Sequence, residues 1–269
     1  MRNNLILSGL LFSLIALLCL SACGDEGKGP PQIPPAYVVS GLVVDMMDNP
    51  PSGAPLPGAT VETEDGRYST VTDESGFWQL LVPSQPDPVL KVTKPAAGYV
   101  PSYNTVPVSI GITEFNLMTI NGFMFNILAG RNPFSSVAGA KQCVMMGAAT
   151  GFLQMDYPQI MATLEDVVIE VSPSTDVSVT YIPSMEIRSL DDLVRLIATF
   201  TGGDNGMVAT GPDGAFILVV PDATVTTTVT VKGKKPGNTF MEMEQMTRPG
   251  SFIPVGVIDL FYSPFPPLE

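Results

Sequence analysis

The chain has 269 residues, of which 45% are hydrophobic, so it is long enough to bury one large core or two small ones. It carries 13 Lys and Arg against 26 Asp and Glu, which gives a formal net charge of −13 at pH 7. A charge of this sign repels phosphate backbones and therefore argues against nucleic acid as a partner.

Residues 1–22 have the pattern of a secretory signal peptide. Arg2 supplies a positive start, and an apolar run extends from Leu5 to Leu20. The stretch Leu20-Ser-Ala-Cys23 resembles the lipobox of bacterial lipoproteins at every position. The resemblance implies cleavage before Cys23 and lipidation of its thiol, which would anchor the mature chain in a membrane. A signal peptide without lipid and an uncleaved anchor are the alternatives.

The residues after the lipobox predict a destination and a tether. Gly24 follows Cys23, whereas in the sorting rule of enteric bacteria an Asp at this place retains a lipoprotein in the inner membrane. We therefore expect the outer membrane if the source has two membranes. Residues 23–36 are rich in Pro and Gly without apolar periodicity, which is typical of an extended tether. No later segment is long and apolar enough to predict a membrane span.

Two short stretches of the chain repeat one pattern. These are Thr72–Leu80, TDESGFWQL, and Thr210–Leu218, TGPDGAFIL. When Gly76 is placed over Gly214, Trp78 falls on Phe216. The flanking matches pair Leu56–Glu62 with Leu164–Glu170, Gly41–Val43 with Gly151–Leu153, Val89–Lys94 with Val229–Lys234, and Phe115–Leu117 with Ile258–Leu260. We interpret the chain as a tandem duplication.

Each copy alternates apolar and polar residues with a period of two, as in half-buried strands. Ala59, Val61 and Thr63 are an example, and Gly, Pro and Asp separate such runs roughly every eight to twelve residues. The pattern predicts an all-β chain of two tandem antiparallel β-sandwiches. Their predicted bounds are 37–120 and 140–262, with a linker at 121–139 and a C-terminal tail at 263–269.

Four turn residues are predicted to be structural: Asp73, Gly76, Asp213 and Gly214. A tight reversal takes Asp or Pro early in the turn and Gly where φ becomes positive. A catalytic or metal site would retain its carboxylates in both copies, yet Asp73 aligns with Gly211. Both copies retain Gly followed two positions later by an aromatic residue, so Trp78 and Phe216 are predicted to be core aromatics.

Four motifs of the first copy together resemble the carboxypeptidase regulatory-like domain. They are Gly41-x-Val-x-Asp45, Leu56-Pro-Gly-Ala-Thr-Val61, Thr72-Asp-x-x-Gly-x-Trp78 and Gly98-Tyr99. The resemblance implies a seven-stranded, transthyretin-like β-sandwich in each copy. The second copy departs from the family pattern, because Asp166 replaces Gly58 and no clear Gly-Tyr pair is present.

The second copy carries an insertion at 174–205. Within it Ser189-Leu-Asp-Asp192 resembles a capping box, apolar residues follow at helical spacing, and Gly202-Gly203 end the pattern. We therefore predict a short helix, which either covers an open end of the sandwich or serves as a binding element.

The sequence offers no residue set for catalysis. It contains no histidine, which excludes Ser-His-Asp and Cys-His arrangements, zinc carboxypeptidases and the transthyretin-like hydrolases. Asp191 and Asp192 are adjacent at a predicted helix start, where they complement the dipole. Asp204-Asn205-Gly206 with Asp213 offers oxygen ligands for calcium, but the spacing matches no EF-hand and is equally typical of turns. No cofactor or metal is assigned.

The cysteines predict no intramolecular disulfide in the mature chain. Cys19 leaves with the signal peptide and Cys23 carries lipid, so only Cys143 remains, in an apolar run typical of a buried residue. Two functional hypotheses follow. One is a non-catalytic, membrane-anchored structural or protein-interaction module of the cell envelope, and the other is a carbohydrate-binding lipoprotein of the cell surface. Exposed aromatic side chains gathered on one concave surface would favour the second.

Overall fold

The computed structural model describes residues 36–46, 53–83, 87–108, 111–152, 161–173, 177–182, 198, 206–224 and 228–259. The predicted signal peptide, Cys23 and most of the predicted tether lie outside these residues. The strands are β1 (Ala36–Asp45), β2 (Ala54–Pro55), β3 (Thr60–Thr63), β4 (Ser69–Val71), β5 (Phe77–Pro83), β6 (Val89–Thr93), β7 (Ser102–Thr105), β8 (Leu117–Thr119), β9 (Cys143–Phe152), β10 (Met161–Thr163), β11 (Val168–Ser172), β12 (Ser178–Tyr181), β13 (Ala215–Val220), β14 (Thr228–Lys234), β15 (Met243–Met246) and β16 (Ser251–Asp259). Helix α1 covers Gly122–Leu128, and a short 3₁₀ helix covers Pro95–Ala97.

The prediction of an all-β, β-sandwich fold is confirmed. In the first half of the chain, residues 36–120, β1 pairs with β2, β5 and β8, while β3 pairs with β4 and β6, and β6 with β7. In the second half, residues 140–259, β9 pairs with β10, β13 and β16, while β14 pairs with β11 and β15. Most pairings are antiparallel, but β8 on β1 and β16 on β9 are parallel.

The strand pairings of the first half recur in the second. Strands β1, β2, β3, β5, β6, β7 and β8 make the same pairings as β9, β10, β11, β13, β14, β15 and β16 respectively. Among the described strands, β4 and β12 have no counterpart. The repeated pairing places β5 and β13 in equivalent positions, each beside the first strand of its half.

Each half buries its own apolar core between two sheets. In the first, Val39 and Trp78 of one sheet pack with Val61 and Leu90 of the other. In the second, Met145 and Phe216 pack with residues of β11, β14 and β16 in a separate cluster. Alternation along β5 explains this packing, because Trp78, Leu80 and Val82 are buried while the residues between them are exposed or half-buried.

The two halves pack together within one compact unit that begins at Ala36. Phe252 of β16 pairs with Ser102 of β7, which joins strands of both halves into a nine-stranded sheet. The Arg248 guanidinium lies 4.2 Å from the centre of the Tyr103 ring and also bonds to the Glu64 carboxylate. These contacts link the halves through an ion pair and a cation–π interaction.

The segment predicted to be a linker contains α1. The Asn121 side chain accepts a hydrogen bond from the Met124 amide at 3.0 Å and so caps the helix. Phe125 and Leu128 of this helix are buried against residues of β9 and β13, in a third apolar cluster. The linker therefore covers part of the second half.

The insertion at 174–205 contributes a strand to the second half. Strand β12 pairs antiparallel with β13, with Tyr181 opposite Phe216. Tyr181 and Ile182 are both buried. The predicted helix of the insertion lies outside the described residues, except for Ala198.

Candidate interaction site

The two repeated turns have the same backbone hydrogen bonds. The Gly76 amide donates to the Asp73 carbonyl, and the Gly214 amide donates to the Gly211 carbonyl. Gly76 and Gly214 have φ of 77° and 64°, which only glycine adopts without strain. The first turn leads from β4, in one sheet, into β5, in the other sheet, so it is not a hairpin between paired neighbours, and the second turn leads into β13.

The first threonine of each turn binds the turn to its sandwich. The Thr72 hydroxyl donates to the Leu56 carbonyl and accepts from the Ala59 amide, both at 2.8 Å. The Thr210 hydroxyl donates to the Leu164 carbonyl at 2.7 Å and accepts from the Val167 amide at 3.0 Å. Both threonines are buried. They were not among the predicted site residues, although their alignment was visible in the sequence.

Asp166 adopts the backbone conformation of the glycine that it replaces. Its φ is 60°, against 66° for Gly58, and it is the one non-glycine residue with positive φ among those described. Asp and Asn tolerate this region better than other side chains. The replacement of glycine by Asp166 therefore leaves the backbone φ at this position nearly unchanged.

In each half, a second glycine lies where the neighbouring parallel segment approaches too closely for a side chain. A Cβ on Gly41 would lie 2.1 Å from the Phe115 carbonyl oxygen, and a Cβ on Gly147 would lie 2.1 Å from the Val255 carbonyl oxygen. The counterpart of Gly41 is thus Gly147, not Gly151 as the sequence match indicates.

The strand registers correct two further matches. Glu62 lies opposite Lys91, and its counterpart Glu170 lies opposite Lys232. Lys91 therefore corresponds to Lys232, one residue beyond the position that the sequence match gives. In the parallel pairs, Leu117 lies opposite Val43, and its counterpart Val257 lies opposite Ala149. Leu117 corresponds to Val257 and not to Leu260.

The core aromatics occupy equivalent buried positions. Trp78 is 1% exposed and pairs with Gly41, while Phe216 is 0% exposed and pairs with Gly147. The Trp78 indole N–H has no hydrogen-bond partner among the described residues. Phenylalanine at the equivalent place in the second half needs none.

Asp73 bonds to the backbone amide and carbonyl of Phe77, which point away from β1 at the start of β5. Its amide donates to the Phe77 carbonyl at 3.0 Å, and its carboxylate accepts from the Phe77 amide at 3.0 Å. The same carboxylate oxygen accepts from the Ser75 hydroxyl and amide, and these hydrogen bonds, the Ser75 hydroxyl first, lower the pKa of Asp73. Asp73 therefore acts as an edge cap for β5.

The remaining outer edge of β5 is unpaired among the described strands. Val43 donates to the Gly76 carbonyl, so in the alternating antiparallel pattern Trp78, Leu80 and Val82 bond to β1. The amides and carbonyls of Gln79 and Leu81 consequently point away from β1, toward this edge. Unpaired edges of this kind are ready templates for another strand.

The outer face of the same sheet is largely apolar, although the polar pair Ser40 and Gln79 lies at its centre. Val38 lies opposite Leu81, and Leu42 lies opposite Phe77. Val38 and Leu81 are 52% and 51% exposed, and Phe77 is also exposed. We call this surface, defined by Val38, Leu42, Phe77, Gln79 and Leu81, the β1–β5 face.

The equivalent surface of the second half is covered by the chain itself. The Ile182 amide donates to the Ala215 carbonyl at 3.1 Å, so β12 occupies the edge of β13. Helix α1 packs on the outer face, and Val144, the counterpart of Val38, is completely buried there. Among the described residues, the first half has no strand on the β5 edge and no helix on the β1–β5 face. This explains why Asp73 corresponds to Gly211, because the edge that Asp73 caps in the first half is paired with β12 in the second.

A groove of about 950 Å³ lies where α1 and the following loop meet the two halves. Phe123 and Phe134 line it with their ring centres 5.7 Å apart, and Phe134 is 88% exposed. The other lining residues are mainly Pro, Gly, Ser, Ala and Val, with Tyr99 as a third aromatic residue and Lys141 as the charged residue. The groove can contact an apolar group but offers few hydrogen-bonding side chains.

Buried polar pairs in the described residues are structural. The Tyr99 hydroxyl donates to the Asp45 carboxylate at 2.8 Å, which joins two motifs of the family resemblance. In the second half the Asn238 side chain donates to the buried Asp259 carboxylate. Each carboxylate lies at the same end of the parallel strand pair of its half, and each is bonded by the loop that crosses this end.

No described cluster of three or more His, Cys, Asp or Glu side chains could hold a metal ion. Of the residues considered for calcium, Asp213 is described, whereas Asp204 and Asn205 lie outside the described residues, as do Asp191 and Asp192. Cys143 is buried, and burial raises the pKa of its thiol, which keeps it protonated and unreactive. Within the described ranges, no helix has both the length and the hydropathy to cross a bilayer.

No protein-family model matches the chain, and no curated protein matches it. Solved structures that it resembles include the minor pilin GBS52 of Streptococcus agalactiae, at 10% identity and a TM-score of 0.27, over 87% of this chain and 100% of that chain. The shaft pilin SpaA of Lactobacillus rhamnosus GG is 13% identical, with a TM-score of 0.24, over 86% of this chain and 100% of that chain.

A type II cohesin–X-dockerin complex from Acetivibrio cellulolyticus contains a third similar chain. It is 22% identical, with a TM-score of 0.26, over 32% of this chain. The match covers 58% of that chain, which is less than two thirds of its length. All these TM-scores are below 0.5, so the likenesses do not determine what this chain does.

Proposed function

We propose that the chain is a non-catalytic, lipid-anchored protein-interaction module of the cell envelope, made of two tandem sandwich domains. The observation that carries the proposal is the difference between two equivalent surfaces. The second half covers the outer face and edge of its first sheet with α1 and β12. The first half presents the β1–β5 face, which is largely apolar and mostly exposed. Exposed apolar patches of this kind are typical of protein contact sites.

The anchor in this proposal is Cys23. The lipobox supports thioether diacylation at its thiol, and two or more acyl chains give a stable anchor where one is marginal. The tether at 23–36 would then separate the β1–β5 face from the membrane surface. The residue after Cys23 supports the outer membrane as the destination in a source with two membranes.

Glycan binding is the second candidate, because Phe123 and Phe134 form an exposed aromatic pair on the wall of a groove. Three observations favour protein over glycan. The other exposed aromatic side chains among the described residues, Tyr37, Tyr68 and Phe77, lie outside this groove. Its lining includes no carboxylate or amide side chain to bond sugar hydroxyls. The contrast between an exposed surface in the first half and a covered one in the second lies at the β1–β5 face, whose residues do not line the groove.

A photo-crosslinking amino acid at Val38 in intact cells tests the proposal. Val168, an exposed valine on β11 of the second half, is the matched control. We expect discrete protein adducts from position 38 and few from position 168. Absence of adducts from position 38, together with glycan binding that Phe134→Ala abolishes, would replace the protein module with the glycan-binding alternative.

A further inference from the structure

We propose that the β5 edge pairs with β5 of a second copy of this chain, antiparallel and about a two-fold axis at Leu80. This inference rests on the proposed interaction function and names its partner. The second half shows what such an edge accepts, because β12 pairs antiparallel on β13, the counterpart of β5. The first half has an equivalent edge to which no described strand is paired.

The free backbone groups of this edge are symmetric about Leu80. Gln79 and Leu81 each direct one amide and one carbonyl toward the edge. Before them, both outer groups of Phe77 are satisfied by Asp73. After them, Pro83 has no amide hydrogen to donate. The usable edge is therefore Gln79 to Leu81, bounded on both sides by residues that do not need a strand partner.

A two-fold axis at Leu80 satisfies these groups. It places Gln79 opposite Leu81 of the second copy and Leu81 opposite Gln79 of the second copy, and each pair exchanges two backbone hydrogen bonds. Phe77 then lies opposite Pro83 of the second copy, so the capped residue faces the residue without a donor. The same surface serves both copies, which closes the assembly at a dimer and does not propagate a fibre.

Charge also favours a second copy at this place. The chain carries a net charge of −13, so two copies repel one another over most orientations. Strands β1 and β5 together contain one charged residue, Asp45, and it is buried. Pairing along β5 thus brings together neutral, largely apolar strips. The exposed Leu81 and Phe77 side chains of both copies would form one continuous apolar face.

Cysteine crosslinking of the full-length lipoprotein in detergent tests this register. Directly opposite residues have Cα atoms about 5.5 Å apart, within disulfide reach, whereas diagonal neighbours are about 7 to 8 Å apart. A mixture of Gln79→Cys and Leu81→Cys proteins should therefore form a disulfide-linked dimer that neither variant forms alone. The matched control is a mixture of Glu244→Cys and Met246→Cys, on the exposed side of strand β15. Cys143 is buried, so it should contribute little background.

Two variants separate loss of pairing from loss of folding. Gln79→Pro removes an amide hydrogen that faces the edge, and it leaves the hydrogen bonds between β5 and β1 intact. Leu81→Lys places a charge on the β1–β5 face. Both should retain the β circular-dichroism spectrum and sediment as monomers, while the wild type sediments as a dimer. A monomeric wild type without the mixed disulfide would overturn the inference. If Val38 still gives adducts to another protein, the interaction function survives and only the partner is wrong.

Discussion

Replacing Thr72 by Val tests whether the repeated turn is held by its buried hydroxyl. Valine has the shape of threonine but can neither donate to the Leu56 carbonyl nor accept from the Ala59 amide, both 2.8 Å away. An unsatisfied buried group costs about 1 to 3 kcal/mol, and the added methyl recovers up to about 1 kcal/mol. Two groups lose their partner, so the sum is about 1 to 6 kcal/mol, and we expect a loss near its middle, about 3 kcal/mol, in the free energy of unfolding.

Urea denaturation followed by tryptophan fluorescence measures this loss, because Trp78 is the one tryptophan and reports on the first half. With a slope of about 2 to 3 kcal/mol per molar urea, the midpoint should fall by about 1 M. Thr72→Ser keeps the hydroxyl and removes one methyl, so it should cost only about 1 kcal/mol.

The equivalent threonine provides an internal repeat of the experiment. Thr210→Val, measured by circular dichroism, should cost about as much as Thr72→Val, because its hydroxyl makes the same two bonds. The reasoning fails if either Val variant is as stable as the wild type while the matching Ser variant is less stable. The hydroxyl would then contribute nothing, and the turn would be held by packing alone.

Four further outcomes are expected. Metabolic labelling with a fatty acid should tag the wild type but not Cys23→Ser, and label that persists in the variant contradicts the anchor. Trp78→Ala should lower the free energy of unfolding by about 3 to 5 kcal/mol in urea titrations, whereas Trp78→Phe should cost less because the indole N–H has no described partner. Gly41→Ala and Gly147→Ala should both fail to give a cooperative thermal transition, since each Cβ would lie 2.1 Å from a carbonyl oxygen; a wild-type transition in either would contradict this close approach. Asp73→Ala should lower the free energy of unfolding at neutral pH. The wild type should lose stability as pH falls through the lowered pKa of Asp73, and the variant should lack this loss. Identical pH profiles of unfolding for the two proteins would exclude the edge-cap role.

Local patterns were sufficient to predict the fold class. The turn glycines, the aromatic residue two positions later and the alternation along β5 are short-range features, and the structure places all of them within its β-sandwich fold. The carboxylates of the turns were predicted to be structural because they are not retained between the copies. The hydrogen bonds of Asp73 give that prediction a physical basis.

Strand register could not be predicted from apolar matches alone, because alternating strands resemble one another at several offsets. The match of Val89 with Val229 is one residue out of register, and a slip of one residue exchanges buried and exposed faces. The sequence contained a better indication of the correct register. Lys94-Pro95 recurs as Lys235-Pro236, and both lysines donate to the equivalent carbonyls, those of Pro57 and Glu165.

The difference between the two faces depends on contacts distant in sequence. Strand β12 has four residues and pairs with a strand about forty positions later in the chain, so its partner is not visible locally. Its alternating Ser-Val-Thr-Tyr pattern was a strand signal within the insertion. Helix α1 lies in a segment that was predicted only as a linker between the two copies. The uncovered β1–β5 face became apparent only when its counterpart was seen to be covered.

Amide hydrogen exchange, resolved by residue, tests the central claim most directly. In the full-length protein diluted to the monomer, the amides of Ile217 and Val219, which face β12, should be protected, whereas those of Gln79 and Leu81 should exchange rapidly. On the membrane at native density, Gln79 and Leu81 should become protected while Ile217 and Val219 do not change. Equal protection of both edges in the dilute monomer, or rapid exchange of Gln79 and Leu81 under both conditions, would contradict an interaction site on the first half.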